Sequence, residues 1–343
     1  MKAIFFEEHG GPEVLKYAEL PDPEAAAGEA IVKVKAVALN HLDIWVRQGW
    51  KGLNLQMPHI SGSDISGEIV SVNAPNSQFA VGTRVIVNPG ICTADDQWTR
   101  RGEDSVSPGY KLLGEQKRGG MAEYVVVPVS ALYKIPEEID FINAAAPILV
   151  GMTCWRMLFA RAHLKVGESV LIIGAGGGVN SHSILFAKAA GATVYALTSS
   201  REKTTKALEL GADEVINYKK SPEWALDVMK LTKGRGVDVV VDNVGASTLP
   251  QSLRAVARGG RIVTVGNTSG HKVTYDNRLM FTKQVSLIGS TMGSRQDFMD
   301  AMQFMWSKGL KPVVDRVEPL KEGINMLQYL ERGEQFGKVV LSV

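Results

Sequence analysis

Five consecutive small residues, Gly174-Ala-Gly-Gly-Gly178, stand between an apolar run, Val170–Ile173, and a stretch with helically spaced apolar residues (Ile184, Leu185, Ala187, Ala189). Gly191 and a second apolar run, Thr193–Leu197, follow. Strand, glycine turn, helix and strand within about 30 residues bring uncapped N–H groups and the positive end of a helix to one point. The chemistry this offers is diphosphate binding. Glycine is needed because the backbone must turn sharply and approach phosphate oxygens without a Cβ in the way. One position departs from the usual pattern. Read as Ala-x-x-Gly-x-x-Gly, the fixed positions are Ala175, Gly178 and Ser181; read as Gly-x-Gly-x-x-Gly, they are Ala175, Gly177 and Asn180. Either way the last glycine, which lets helix and strand pack closely, is replaced. The freedom left in Gly174, Gly176, Gly177 and Gly178 predicts that binding survives on a slightly shifted helix, with Val179 next to the loop.

Selectivity between dinucleotides is read at the end of the following strand. A carboxylate there would hold the ribose hydroxyls of NAD. This chain has Thr198-Ser-Ser-Arg-Glu-Lys203, with no acid at the strand end itself. Serine hydroxyls (Ser199, Ser200) and a cation suit a 2′-phosphate, which a carboxylate would repel. NADPH is therefore the expected cofactor, although Glu202 stands nearby and Ser200 would also serve as a helix cap.

The elements that must position these residues fall into two kinds. Residues 1–135 are β-rich: 30–35, 65–72, 84–87 and 122–127 are short β-branched runs separated by Gly, Pro and Asn turns, without intervening helices. From about Asn143 apolar strands alternate with helical patterns (170–173, 193–197, 214–216, 237–241, 261–265, 285–288), as in a doubly wound parallel sheet. A helix over 296–308 and a last strand over 337–342 close the chain. The polar, turn-rich stretch 92–120 is an excursion from the β part.

With 343 residues the chain is long enough for about two domains. A net charge of +2 provides no basic field for nucleic acid. Cys92 and Cys154 form no disulfide framework, no apolar leader opens the chain, and no stretch reaches the roughly 18 apolar residues of a membrane helix. These features predict a soluble, cytoplasmic protein that binds neither nucleic acid nor membrane.

Ten segments in order resemble the medium-chain dehydrogenase/reductase superfamily: HGGPEVL (9–15), ALNHLDIWVRQG (38–49), GSDISGEIV (62–70), GGMAEYVVVP (119–128), AAAPILVGMT (144–153), the glycine loop, GADEVINY (211–218), GVDVVVDNVG (236–245), GGRIVTVG (259–266) and GKVVL (337–341). The resemblance implies a GroES-like β-barrel catalytic domain over 1–142, a Rossmann domain over 143–291, and a return to the catalytic domain over 292–343. It also implies that Lys203 and Tyr218, with Ser200, contact the 2′-phosphate. Thr153 would lie near the cofactor amide, and Asn243, Val244, Gly266 and Asn267 would hold the nicotinamide. Asn40 and Asp43 fall at the catalytic positions, Asn40 as an amide donor to a substrate carbonyl; His41 is a neighbour there.

Zinc alcohol dehydrogenases of this superfamily hold a catalytic zinc with Cys, His and Cys. Those three positions align here with Asn40, Ser63 and Leu149, and the proton-relaying hydroxyl aligns with Leu42. Of the four cysteines of the structural zinc lobe only Cys92 remains. The chain is thus expected to hold no metal, and it most resembles the zinc-free quinone oxidoreductase-like branch. Hydride delivery to quinones or α,β-unsaturated carbonyls needs no strong Lewis acid, and that is the expected activity. The alternatives are a zinc-type alcohol dehydrogenase-like oxidoreductase, an enoyl-thioester reductase, whose tyrosine donor would align with Trp50, and a nucleotide-binding protein without turnover. Trp50, Met57, Phe281 and Met292 are candidate pocket residues. The strand over 285–290 is expected to pair across a two-fold axis, making a homodimer or homotetramer.

Overall fold

A computed structural model describes residues 1–343, which divide into two units. The first holds Met1–Leu149, Ser294–Phe298 and Lys311–Val343; the second holds Val150–Gly293 and Met299–Leu310. The first unit reaches beyond residue 142 because the short helix at Phe141–Ala145 packs its alanines there. Ala145 and Ala146 lie against Ala36, Ala38 and Val340, all fully buried.

In the first unit the N-terminal strands are β1 (Lys2–Phe5), β2 (Lys16–Glu19), β3 (Glu29–Ala38), β4 (Asp64–Asn73), β5 (Arg84–Val87), β6 (Gly90–Cys92), β7 (Tyr110–Leu112), β8 (Tyr124–Pro128) and β9 (Leu132–Lys134). The expectation of strands alone does not hold, because α1 (His41–Gln48) follows β3 directly. Its signal was local: the Asp43 carboxylate, three residues after the N-cap Asn40, accepts from the Asn40 N–H at 2.7 Å. That is half of a capping box. The short helix α2 (Phe141–Ala145) ends this part of the unit. The polar excursion carries the β6–β7 pair and two short 3-10 turns.

The second unit begins in α3 (Ile148–Trp155), whose wider continuation runs over Arg156–Arg161. The helical run Phe141–Arg161 is long and apolar enough to cross a membrane, which corrects the expectation that no such stretch exists. Most of it is buried, as in a core helix. Then follow β10 (Ser169–Ile172), α4 (Gly178–Ala189), β11 (Thr193–Thr198), α5 (Arg201–Glu209), β12 (Glu214–Asn217), α6 (Trp224–Leu231), β13 (Val237–Val241), α7 (Leu249–Ala255), β14 (Val256–Thr264), α8 (Asn277–Lys283) and β15 (Ser286–Gly289). All five pairings are parallel, in the order β12-β11-β10-β13-β14-β15. This is the doubly wound arrangement, and its order reverses between β10 and β13, where such sheets bind ligands. Apolar residues on one face of the central strands, Leu171, Val240 and Ile262 among them in register, pack beneath α6 and α7. Each contributes about 1.5–3 kcal/mol of burial.

The chain continues through α9 (Arg295–Ser307), β16 (Val314–Pro319), α10 (Gly323–Glu331) and β17 (Lys338–Ser342). Within the second unit, Phe304 from α9 packs on Trp155, Phe159 and Phe186. In the first unit, β17 completes the sheet β16-β17-β3-β4-β5-β9. β3 is its hub: residues 29–33 pair with β8, residues 36–38 with β17, and nearly the whole strand with β4. Strands from the first 134 residues and from the C-terminal end of the sequence therefore share one sheet, while β1 and β2 pair apart from it.

Candidate functional site

The second unit gathers its candidate residues at the C-terminal ends of its parallel strands. β10 ends at Ile172, and the loop turns at Gly174 with φ of +80°, a conformation that side chains resist. Gly177 is the N-cap of α4 and has no side chain to satisfy the first-turn N–H groups. A Cβ built on Gly174 or Gly177 would meet nothing nearer than the Asn180 amide nitrogen, at 3.7 and 3.8 Å. Small residues, open space and an uncapped helix N-terminus fit a dinucleotide diphosphate. Ala175 is buried; its N–H donates to Leu197 O at 2.8 Å and ties the loop to the end of β11. Gly176, Gly178 and Val179 are half-buried beside it.

At the end of β11, Ser199 and Ser200 are half-buried, and Ser200 caps α5 by accepting from the Lys203 N–H at 3.2 Å. Tyr218 joins them: its N–H donates to Thr198 O at 3.0 Å, and its ring is half exposed. Glu202 reaches away from this group to Lys206, at 3.0 Å. Past β13, the Asp242 carboxylate accepts from the N–H groups of Val244 and Gly245 and from the hydroxyls of Thr248 and Ser252. It thereby fixes the loop that carries Asn243 and Val244. Gly266 sits close to Asn243 O, and Asn267 is exposed beyond it. Thr153 is buried in α3, next to Cys154, whose Sγ donates to Val179 O at 3.0 Å. Burial pushes the Cys154 thiol up to about 12, so it is an inert packed group.

The first unit holds a buried polar cluster that sequence reasoning missed. Lys338, the first residue of β17, is 2% exposed; its Nζ donates to Asn40 Oδ1 at 2.5 Å and to Asp64 Oδ2 at 2.8 Å. Asp64 is fully buried and also accepts from Asn40 Nδ2 at 3.0 Å and from the Leu149 N–H at 2.8 Å. Gly337 makes this possible. It adopts a φ of +101°, and a Cβ on it would lie 2.4 Å from Val313 O. The only hint in the sequence was a lysine opening an apolar strand in GKVVL.

Asn40 is thus held at both ends of its amide, and its remaining contact, to Ala38 O, is long at 3.5 Å. Asp43 accepts from the Asn40 and Gly62 N–H groups at 2.7 and 2.9 Å, and burial raises its carboxyl to about 7. The positions aligned with zinc ligands carry no thiol or imidazole. Asn40 faces Lys338, the Ser63 hydroxyl donates to Leu113 O at 2.8 Å, and Leu149 contributes only its N–H. No group of three His, Cys, Asp or Glu side chains converges anywhere to hold a metal ion. A divalent cation beside a buried ammonium would also be repelled, so these residues do not fit catalytic zinc.

Removing one partner of a buried ion pair strands the other charge. We expect Lys338→Met to destabilise the protein by about 3–5 kcal/mol, and Lys338→Met with Asp64→Asn to recover most of it, as read by chemical unfolding. Equal loss in both variants would show that Lys338 acts through packing alone. Asp43 gives a pH test. Its carboxyl has a higher pKa folded than unfolded, so its contribution is full below about pH 4 and is lost as pH rises through about 7. The stability of wild type relative to Asp43→Asn should therefore fall between pH 5 and 7.5, by at most about 1.4 kcal/mol per pH unit. Parallel pH profiles would mean an ordinary carboxyl.

Residues 26–137 match the alcohol dehydrogenase GroES-like domain family, and residues 178–307 match the zinc-binding dehydrogenase family. A solved structure described as an NAD-dependent alcohol dehydrogenase superposes with a TM-score of 0.95 at 40% identity, covering 100% of both chains. An acryloyl-coenzyme A reductase of Metallosphaera sedula is 33% identical over 100% of each chain. A quinone oxidoreductase of Pongo abelii is 29% identical over 99% of this chain and 97% of its own. With its GroES-like domain, doubly wound parallel sheet and dinucleotide loop, the chain belongs to the medium-chain dehydrogenase/reductase superfamily of oxidoreductases.

Proposed function

We propose that the protein is an NADPH-dependent, zinc-independent reductase that delivers hydride to quinones or α,β-unsaturated carbonyls. One observation carries this reading: at the positions of the zinc ligands stand Asn40, Ser63 and Leu149, and the buried cation beside them is the Lys338 ammonium. Without a ligand set for a Lewis acid, oxidation of a simple alcohol lacks a group to stabilise the alkoxide. An acceptor that is already electrophilic needs less help.

A nicotinamide, when bound, supplies the hydride. The residues of the chain orient and select. The first-turn N–H groups of α4 hold the diphosphate, and Ser199, Ser200, Lys203 and Tyr218 take the 2′-phosphate, the acid nearest them being turned to Lys206. Thr153, Asn243, Val244, Gly266 and Asn267 hold the nicotinamide end. Asn40 is the carbonyl donor: its Oδ1 accepts from a cation, which polarises the amide and strengthens its N–H groups as donors. The N–H now 3.5 Å from Ala38 O is the one free to turn to substrate. Asp43 acts by fixing the start of α1 on which Asn40 sits. The parallel sheet ends in β15 with a half-exposed Leu287, an edge suited to pairing with a second copy. A homodimer, or a homotetramer built from it, follows from that edge.

A second reading is reduction of an enoyl thioester, favoured by the similarity to an acryloyl-coenzyme A reductase. Against it, Trp50, although exposed, offers an indole that cannot give a proton at neutral pH.

EDTA-treated protein should oxidise NADPH in preference to NADH with a bulky aromatic quinone. Lys203→Ala should raise KM for NADPH about tenfold and leave KM for NADH within about twofold, the loss of one charge-assisted contact. Faster turnover with an enoyl thioester selects the second reading. Turnover that appears only after zinc is added, or with an alcohol and NAD, overturns both.

A further inference from the structure

The position where the dinucleotide motif loses its last glycine is not vacant chemistry. Asn180, in the first turn of α4, is buried, and its Nδ2 donates to two successive carbonyls, Ile173 O at 2.7 Å and Gly174 O at 3.0 Å. Its Oδ1 accepts from Asn243 Nδ2 at 2.8 Å, and Asn243 Oδ1 in turn accepts from the Val265 N–H at 2.9 Å. The direction of this chain is forced from both ends. Only an amide nitrogen can face two carbonyl oxygens, and only an amide oxygen can face a backbone N–H. The two asparagines therefore link the ends of β10, β13 and β14, three neighbouring strands that flank the reversal of the sheet.

We propose that Asn180 and Asn243 form a positioning relay for the dinucleotide, coupling the diphosphate loop to the strand ends that hold the nicotinamide. The inference rests on the reading that a nicotinamide dinucleotide binds at this loop. Two effects follow from the bonds. Carbonyl oxygens at the mouth of the loop would repel a diphosphate; Asn180 takes those of residues 173 and 174 into its own hydrogen bonds and leaves the N–H groups of α4 to face the anion. Asn243 is held from both sides, so its backbone, against which Gly266 packs with a Cβ position 3.1 Å from Asn243 O, keeps one geometry whether the loop is filled or empty. Asn180 thus does by hydrogen bonding what the missing glycine does by absence of a side chain, and it adds a link that glycine could not make.

The test is a titration of wild type, Asn180→Gly, Asn243→Ala and the double variant with NADPH, and with NADH in parallel, followed by the fluorescence of the reduced nicotinamide. Asn180→Gly returns glycine to the last position of one of the two readings of the motif, so a merely tolerated asparagine predicts equal or tighter binding. The relay predicts the opposite: each single variant weakens Kd about tenfold and diminishes the change in nicotinamide emission on binding, which reports the ring itself. Because both break the same chain of bonds, the double variant should be no more than about twofold worse than the weaker single. Unchanged binding in Asn180→Gly, or losses that multiply in the double variant, overturn the relay. Should Asn180→Gly fail to fold, Asn243→Ala decides alone: it keeps the loop residues intact, and unchanged affinity and emission overturn the proposal. A wild type that binds neither reduced cofactor also overturns it. A wild type that binds one but reduces no quinone or enone overturns the proposed activity instead, and the variants still decide the relay.

Discussion

The Lys338–Asp64 ion pair is the contact on which the first unit is organised. It joins residues 274 positions apart in the sequence, with both side chains out of water. Burying two charges is costly, and their attraction balances that cost only when the remaining lone pairs and protons find partners. Here they do: Asp64 also receives the Asn40 amide and the Leu149 N–H, and Lys338 also donates to Asn40. Burial raises the Asp64 carboxyl while its donors pull it down, an opposition that makes the pair intolerant of losing either member.

The geometry of Asn40 follows from this pair. It is the N-cap of α1, its N–H is taken by Asp43, and its amide bridges the lysine and the aspartate. A helix start, a strand start and the end of a core segment are thus fixed around one ammonium. A covalently attached cation does this without a ligand set, but it has no open coordination position for a substrate oxygen. What it can lend is polarisation of the amide it grips, and the proposed reduction of an electrophilic acceptor rests on that.

The second unit solves a related problem with neutral groups. Parallel strands leave carbonyl and N–H groups unpaired at their ends, and the site is built from those ends. The Asp242 carboxylate collects donors on one loop, while the Asn180–Asn243 chain collects acceptors on another and ends in an acceptor, Asn243 Oδ1, for the Val265 N–H at the end of β14. Both networks are satisfied within the unit, which leaves the N-terminus of α4 with the appropriate sign for a phosphate.

Much of this was readable from residue order alone. Runs such as Arg84–Val87 and Val237–Val241 are strands with the bounds their β-branched residues indicate, and Gly174–Gly177 is the turn that its composition demands, with Gly178 opening α4. These are local properties: side-chain branching, periodicity and backbone freedom act within a few residues. β14 begins at Val256, five residues before its apolar run, because Val237 pairs with Val256 across the sheet. α1 was masked by the strands around it although its cap stood in the sequence. The lysine opening an apolar strand hinted at Lys338, but nothing near it in the sequence names a partner 274 residues away. Asn180 was visible only as a lost glycine; that its amide reaches Asn243 depends on strands β10 and β13 becoming neighbours. The sequence by itself determined most of the elements, the glycine loop and the residue types, Asn40, Ser63 and Leu149, at the positions that resemble zinc ligands. Tertiary structure alone decided what surrounds them, because a buried charge or amide is defined by its partners, and folding chooses those from anywhere along the chain.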